Sequence, residues 1–189
     1  MKEILSILSA LFVLFGLIWY SKETKNKNTK PNIVVLGLWI ITAGINAITY
    51  LIIVQDIFKS LLLIAALIAN IIIVTITIRS KNYLFLKRDL WIVGIGITVI
   101  ACLILFLSVK DTHVIMQILT TIPYIPLIIG IVQGKGKEPF NAWFLIFIST
   151  LFGLSAILVE YSDYWSLIHP LRSIILQIAV MICIKKFKR

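Results

Sequence analysis

Runs of about twenty mostly apolar residues recur along this chain, and a helix of about that length crosses a hydrocarbon core of roughly 30 Å. Seven such runs are separated by short charged or polar breaks: Ile4–Tyr20, Asn32–Val54, Ile57–Ile78, Leu90–Val109, His113–Gln133, Phe140–Val159 and Tyr164–Ile184. Of the 189 residues, 60% are hydrophobic and 14% charged, against roughly 45–50% and about 25% in soluble domains. Almost nothing is left over for a soluble domain. Backbone in lipid has to satisfy its own hydrogen bonds, so runs of this length are expected as helices. The expected fold is an all-α integral membrane protein with seven transmembrane helices in one membrane domain, 1–189.

The net charge of +10 would suit nucleic acid if it were clustered on one soluble face, but it alternates with the spans. Lys22, Lys25, Lys27 and Lys30 separate the first two spans; Arg79, Lys81, Lys87 and Arg88 separate the third and fourth. Lys135 and Lys137 lie between the fifth and sixth, and Lys185, Lys186, Lys188 and Arg189 close the chain. The other set of breaks holds Lys2, Lys59 and Lys110 together with Glu3, Asp56, Asp111, Glu160 and Asp163. By the positive-inside rule the N-terminus is outside and the C-terminus cytoplasmic. The basic excess is a topology signal and excludes a nucleic-acid partner. Ile4–Tyr20 reads as a retained helix, because Glu3 offsets Lys2 and four lysines follow directly. Cys102 and Cys183 both fall inside apolar spans and carry no redox or metal signal.

The chain repeats itself. "SKETKNKNTKPNIVVLGLW" after the first span is echoed by "GKGKEPFNAWFLIF" after the fifth, and "VQDIFKSLLL" by "YSDYWSLIHP". Aligning Asp56 with Asp163 gives an offset of 107 that puts Asn70 on Gln177, Arg79 on Lys186 and Ser60 near Ser166. Polar positions match as well as apolar ones. Three spans per half leave the fourth as a linker, and an odd linker makes the halves parallel. The expected division is 1–80 for the first three-helix repeat, 81–110 for the linker helix and 111–189 for the second repeat.

Polar residues recur at helical spacing in several spans. Trp39, Thr42, Asn46 and Thr49/Tyr50 share a face of the second; His113, Gln117, Thr120/Thr121 and Tyr124 share one of the fifth. Asn141, Ser149 and Ser155 mark the sixth less regularly, and Ser166, His169, Ser173 and Gln177 the seventh, with Arg172 beside them. Single hydroxyls read first as interhelical hydrogen bonds. Asn70 and Gln177 occupy equivalent repeat positions near mid-span and are candidate solute contacts across a central cavity, with Asn46, Gln117, Tyr124, His169 and Ser173 lining it. Arg172 is the one basic residue well inside a span. It is either a snorkelling partner of Glu160 or Asp163 or an anion-binding group.

Pro123 and Pro126 each remove a backbone donor from an apolar span. They are expected to form a bend toward the solute path, with Thr120, Thr121 and Tyr124 satisfying the freed carbonyls. The first repeat has only Gly16 in the corresponding region. Catalytic and metal-binding spacings are lacking, "GKGK" is no phosphate loop, and every Asp and Glu sits in a break or near a helix end. No enzyme activity, metal or cofactor is expected.

Two parallel three-helix units around a linker helix, each with a lysine- and proline-containing turn leading to a tryptophan, resemble the SWEET and PQ-loop superfamily. Pro126 matches the family's proline, while Leu127 stands where its glutamine is expected and Gly16 replaces the first repeat's proline. The resemblance implies the 3+1+3 fold, alternating access, and solute contact by Asn70 and Gln177. Pnu-type vitamin transporters share the plan. The function expected is facilitative transport of a polar solute, a sugar or similar small metabolite, with Pro123, Pro126 and Gly16 as hinge residues. The alternative is a receptor or accessory protein on the same fold. The expected setting is a lipid bilayer, that of a bacterial cytoplasmic membrane; a homo-oligomer is compatible with the sequence.

Overall fold

A computed structural model of the chain describes residues 1–85, 87, 90, 91, 94, 99, 108–160 and 164–187. Its helices are α1 (Lys2–Lys25), α2 (Ile33–Val54), α3 (Ile57–Ser80), α4 (Val109–Leu119), α5 (Tyr124–Val132), α6 (Phe140–Val159) and α7 (Trp165–Lys186). Among the described residues six spans are long and apolar enough to cross a membrane, α4 and α5 together supplying one, Val109–Val132. The protein is an all-α integral membrane protein. The expected linker span Leu90–Val109 falls largely outside the described residues, as do Cys102 and Asp163.

Local chemistry sets the helix ends. α1 runs five residues past Tyr20, with Lys22 and Lys25 in its last turn where cations complement the C-terminal dipole. Asn32 caps α2, its side-chain oxygen accepting from Val34 N at 3.0 Å and Val35 N at 3.4 Å. The link from α2 to α3 is two residues long. Gln55 takes a left-handed φ of 52° to stop one helix, and Asp56 starts the next by accepting from Phe58 N at 2.9 Å and Lys59 N at 3.2 Å.

The fifth span departs from expectation. Instead of bending, the helix stops at Leu119 and restarts at Tyr124. Amides 121, 122, 124 and 125 bond three residues back rather than four. Pro123 is then the cap of α5 and Pro126 lies in its first turn, where helix donors have no intrahelical partner in any case. The prolines are tolerated because a new helix starts there. Gln117 O, left by the break, accepts from Thr121 Oγ1 at 3.1 Å, and Thr120 Oγ1 bonds Met116 O. In α7, by contrast, Pro170 is accommodated inside a continuous helix.

α3 packs on both α1 and α2, and α7 packs on α6 and on α4 and α5; between these groups α1 lies along α6 and α2 along α4. The α1–α6 contact is close because small residues line it. A Cβ on Gly16 would stand 3.0 Å from Ile146 and 3.1 Å from Ala142 O, and one on Gly153 would stand 3.1 Å from Ser9 Oγ, besides 2.8 Å from Leu62 of α3. Gly16 therefore sits inside an unbroken helix at a packing contact. Outward faces carry large apolar residues at helical spacing, among them Leu11, Phe15 and Ile18 on α1 and Ile68, Ile71 and Ile72 on α3. On membrane-spanning helices these are lipid-facing surfaces.

Candidate functional site

A cavity of about 140 Å³ lies between the two helix groups, with walls from α1, α2, α3, α6, α7 and the α4–α5 span. Its lining follows the internal offset. Val13 and Thr120, Leu17 and Tyr124, Leu62 and His169, Ala66 and Ser173, and Asn70 and Gln177 are pairs separated by 107, and all ten residues line it. Trp39 pairs with Trp143 and Asn46 with Thr150 at 104, about one helical turn short. Asn46, Asn70, Tyr124, His169, Arg172, Ser173 and Gln177, all singled out in the sequence, meet here.

Polarity is unevenly divided between the two groups. Along four of the five pairs at 107, the first half offers Val13, Leu17, Leu62 and Ala66, whereas the second offers Thr120, Tyr124, His169 and Ser173; in the fifth both residues, Asn70 and Gln177, are amides. Three aromatic rings pack against one another at the Glu138 end. Trp39 and Tyr124 have centroids 5.3 Å apart, Trp39 and Trp143 5.9 Å, and Tyr124 and Trp143 6.1 Å, all edge to face.

Gln117 sits behind this lining. Its Nε2 donates to Asn46 Oδ1 at 2.6 Å and lies 3.3 Å from His113 Nε2. Thr49 Oγ1 reaches His113 Nδ1 at 3.3 Å. Asn46 Nδ2 is 3.2 Å from His169 Nδ1, which also receives Arg172 Nη2 at 3.2 Å. The same Nδ1 lies 3.3 Å from Gln117 Oε1, so it accepts from Asn46 and Arg172 in one tautomer and donates to Gln117 in the other.

Arg172 does not snorkel to the acidic end. Its Nη1 donates to Gln117 O at 3.0 Å and its Nη2 to Ser173 Oγ at 3.2 Å. The guanidinium thus caps the carbonyl exposed where α4 ends, a place that favours a cation. Glu160, one of its two expected partners, is paired with Lys2 instead, and the other, Asp163, lies outside the described residues. Among the described residues Arg172 has no carboxylate partner, and its Nε has no acceptor. Gln177 Nε2 donates to Thr150 Oγ1 at 3.0 Å, while Thr150 gives its own hydrogen to Ile146 O at 3.0 Å. That fixes the amide orientation and leaves Gln177 Oε1 without a partner among the described residues. Asn70 forms no side-chain hydrogen bond with the described residues.

Both ends of the cavity are tied. At one, Lys2 Nζ bonds Asp56 Oδ2 at 3.0 Å and pairs with Glu160, and Lys59 Nζ donates to Glu160 O at 2.8 Å. These contacts join α1, α3 and α6. At the other, Glu138 accepts from Tyr20 Oη and from Trp143 Nε1, both at 3.1 Å. Burial pushes the Glu138 carboxyl up to about 7, against the two hydrogen bonds, which pull it down. The loop holding it is fixed by Gly134, whose φ of 67° lets Lys135 N and Gly136 N both reach Gly130 O at 3.0 Å.

Several site residues were not legible as such. Trp143 was not singled out, yet it lines the cavity with Trp39; the tryptophan that follows the turn in both halves was the available signal. Thr150 and Glu138 carried none, since Thr150 falls between the polar residues of its span and Glu138 looks like one acid of a charged turn. Gln117 supports the wall from behind, and Pro123, Pro126 and Gly16 are not among the lining residues. Asn141 and Ser155 face outward. No protein-family model matches the chain, and no curated protein or solved structure matches it either.

Proposed function

We propose that the protein is a small facilitative transporter that moves a polar solute by alternating access between two parallel three-helix bundles. The observation that carries this is the pairing of cavity-lining residues at the internal offset of 107. Two equivalent bundles facing one central site are what rocking about a fixed midplane site requires. Packing supports the division, since the third helix of each group touches both others and the groups meet through α1–α6 and α2–α4. The 3+1+3 plan, with a linker helix within 81–110 and seven spans in all, is the SWEET and PQ-loop arrangement that the sequence resembles. Asn70 and Gln177 contact the solute, and Asn46, Tyr124, His169, Arg172 and Ser173 line its path. Gln117 braces Asn46, and the α4–α5 break at Pro123 and Pro126 is the hinge. The basic ends face the cytoplasm of a bacterial inner membrane.

A second assignment, a receptor with the same pocket and no transport, is favoured by one observation: both ends of the cavity are tied in the same structure. Counterflow of a labelled-solute panel in proteoliposomes separates the two. Exchange of at least one polar solute above protein-free vesicles is expected. Ligands that stabilise the purified protein while none exchanges would leave the receptor.

A further inference from the structure

We propose that the cavity takes a small monocarboxylate with an apolar body and a hydrogen-bond donor at its far end, a narrower class than the polar solute of the transporter on which this inference rests. Four observations converge on it. First, four of the five equivalent pairs differ in polarity between the two halves, so the ligand meets Thr120, Tyr124, His169 and Ser173 on one side and, apart from Asn46 and Asn70, mainly apolar side chains on the other. A sugar, with hydroxyls around its whole rim, would leave some of them facing Val13, Leu17, Leu62 and Ala66.

Second, the polar wall holds a cation without a carboxylate partner among the described residues. Arg172 uses Nη1 and Nη2 on a carbonyl, a ring nitrogen and a hydroxyl, all neutral groups, and its Nε has no acceptor. Among the described residues no Asp or Glu lines the cavity. A carboxylate supplies the missing charge through a strong, geometrically matched hydrogen bond, whereas a cationic solute would meet Arg172 with nothing to offset it.

Third, Gln177 presents an acceptor. Its orientation is fixed by Thr150, it is 4% exposed, and its Oε1 has no partner among the described residues. It lies five residues along α7 from Arg172, about 7.5 Å of axial rise, so the two residues can meet opposite ends of a ligand about one ring long. Fourth, about 140 Å³ is close to the roughly 150 Å³ apolar cavity that accepts benzene.

The test uses the full chain in lipid nanodiscs, with benzoate, benzamide, 4-hydroxybenzoate and glucose as probes, read by tryptophan fluorescence and thermal midpoint. Benzoate is expected to bind at least tenfold more tightly than benzamide, and 4-hydroxybenzoate more tightly still. Arg172→Gln should bring benzoate to the level of benzamide, and Gln177→Leu should remove the advantage of the hydroxyl. Because Arg172 also caps α4, Ala66→Phe serves as a second variant that keeps the guanidinium and fills the apolar wall; it should abolish binding of both acids. Equal affinity for benzoate and benzamide, or preference for glucose, overturns the proposal. Counterflow at pH 8, measured against protein-free vesicles, separates it from the transporter assignment. Exchange of neutral solutes but not acids overturns the carboxylate site and leaves the transporter, whereas acids that bind without exchanging uphold the site and overturn the transporter.

Discussion

Ser9 and Ser149 exchange hydrogen bonds across the α1–α6 contact, each hydroxyl donating to the other's backbone carbonyl at 2.7 Å. Both residues are fully buried, so neither hydroxyl has water as an alternative. This reciprocal pair lies one to two turns from Gly16 along α1, and the two together hold the helices closer than larger side chains would allow. In lipid, where helix association gains little from the hydrophobic effect, such contacts are a main source of cohesion.

Gly16→Ala is therefore expected to destabilise the protein by about 1–3 kcal/mol, the usual cost of overpacking. Its new methyl group would press on Ala142 O, a backbone atom with little room to give. Gly37→Ala is the matched control, since a Cβ there meets nothing within 4 Å, and it should be neutral or slightly stabilising. Thermal midpoints of the two variants in one detergent decide the matter. Equal midpoints would mean that the α1–α6 approach is not set by Gly16.

Asn46 and Gln117 join α2 to α4 through a buried amide bond of 2.6 Å. Removing one partner strands the other, at about 1–3 kcal/mol. Gln117→Leu and Asn46→Leu should each lower stability by that amount, while the double variant should cost clearly less than their sum. A double-mutant cycle on detergent unfolding measures this, and simple additivity would show that the bond contributes nothing of its own.

Gln177→Leu removes the amide that faces the cavity and should weaken solute binding about tenfold. Asn141→Ala and Ser155→Ala, on outward faces, should leave binding within twofold of the parent. Solute titration of all three against tryptophan fluorescence gives the comparison. A loss at Asn141 or Ser155 equal to that at Gln177 would place the solute elsewhere.

These variants also mark where the sequence was informative. Helical spacing alone placed Asn46, His169, Ser173 and Gln177 on inward faces, because a polar side chain in a membrane span has few other stable positions. Asn141 and Ser155 were grouped with Ser149 on a less regular spacing, yet they turn outward: Ser155 answers its own helix by donating to Leu151 O at 2.9 Å. The proline pair announced an irregularity at 123–126 but not its form, since a bend and a restart use the same residues. Arg172 shows a further limit. Its candidate partners were sought among acids near in sequence, whereas the group it caps is Gln117 O, 55 residues away and exposed only because the helix ends there.

Glu138 gives the pH prediction. Its ordinary value is 4.5 and burial raises it to about 7, so between those limits the folded form holds the proton more firmly than the unfolded one. Stability from this group is complete below about pH 4.5, declines as pH rises, and is gone above about 7. The same linkage acts on the contact itself. A protonated Glu138 stays between Tyr20 and Trp143, and an ionised one gains more from water, so this end of the cavity should loosen as pH rises through 7. Glu138→Gln keeps an acceptor for Trp143 without titrating. Hydrogen exchange across 134–143 should quicken from pH 6 to pH 8 in the parent, after correction for the intrinsic pH dependence of exchange, and stay level in Glu138→Gln. Because His113 and His169 are present in both proteins, the difference between the two profiles isolates the carboxyl. Identical profiles would show that Glu138 does not control this end.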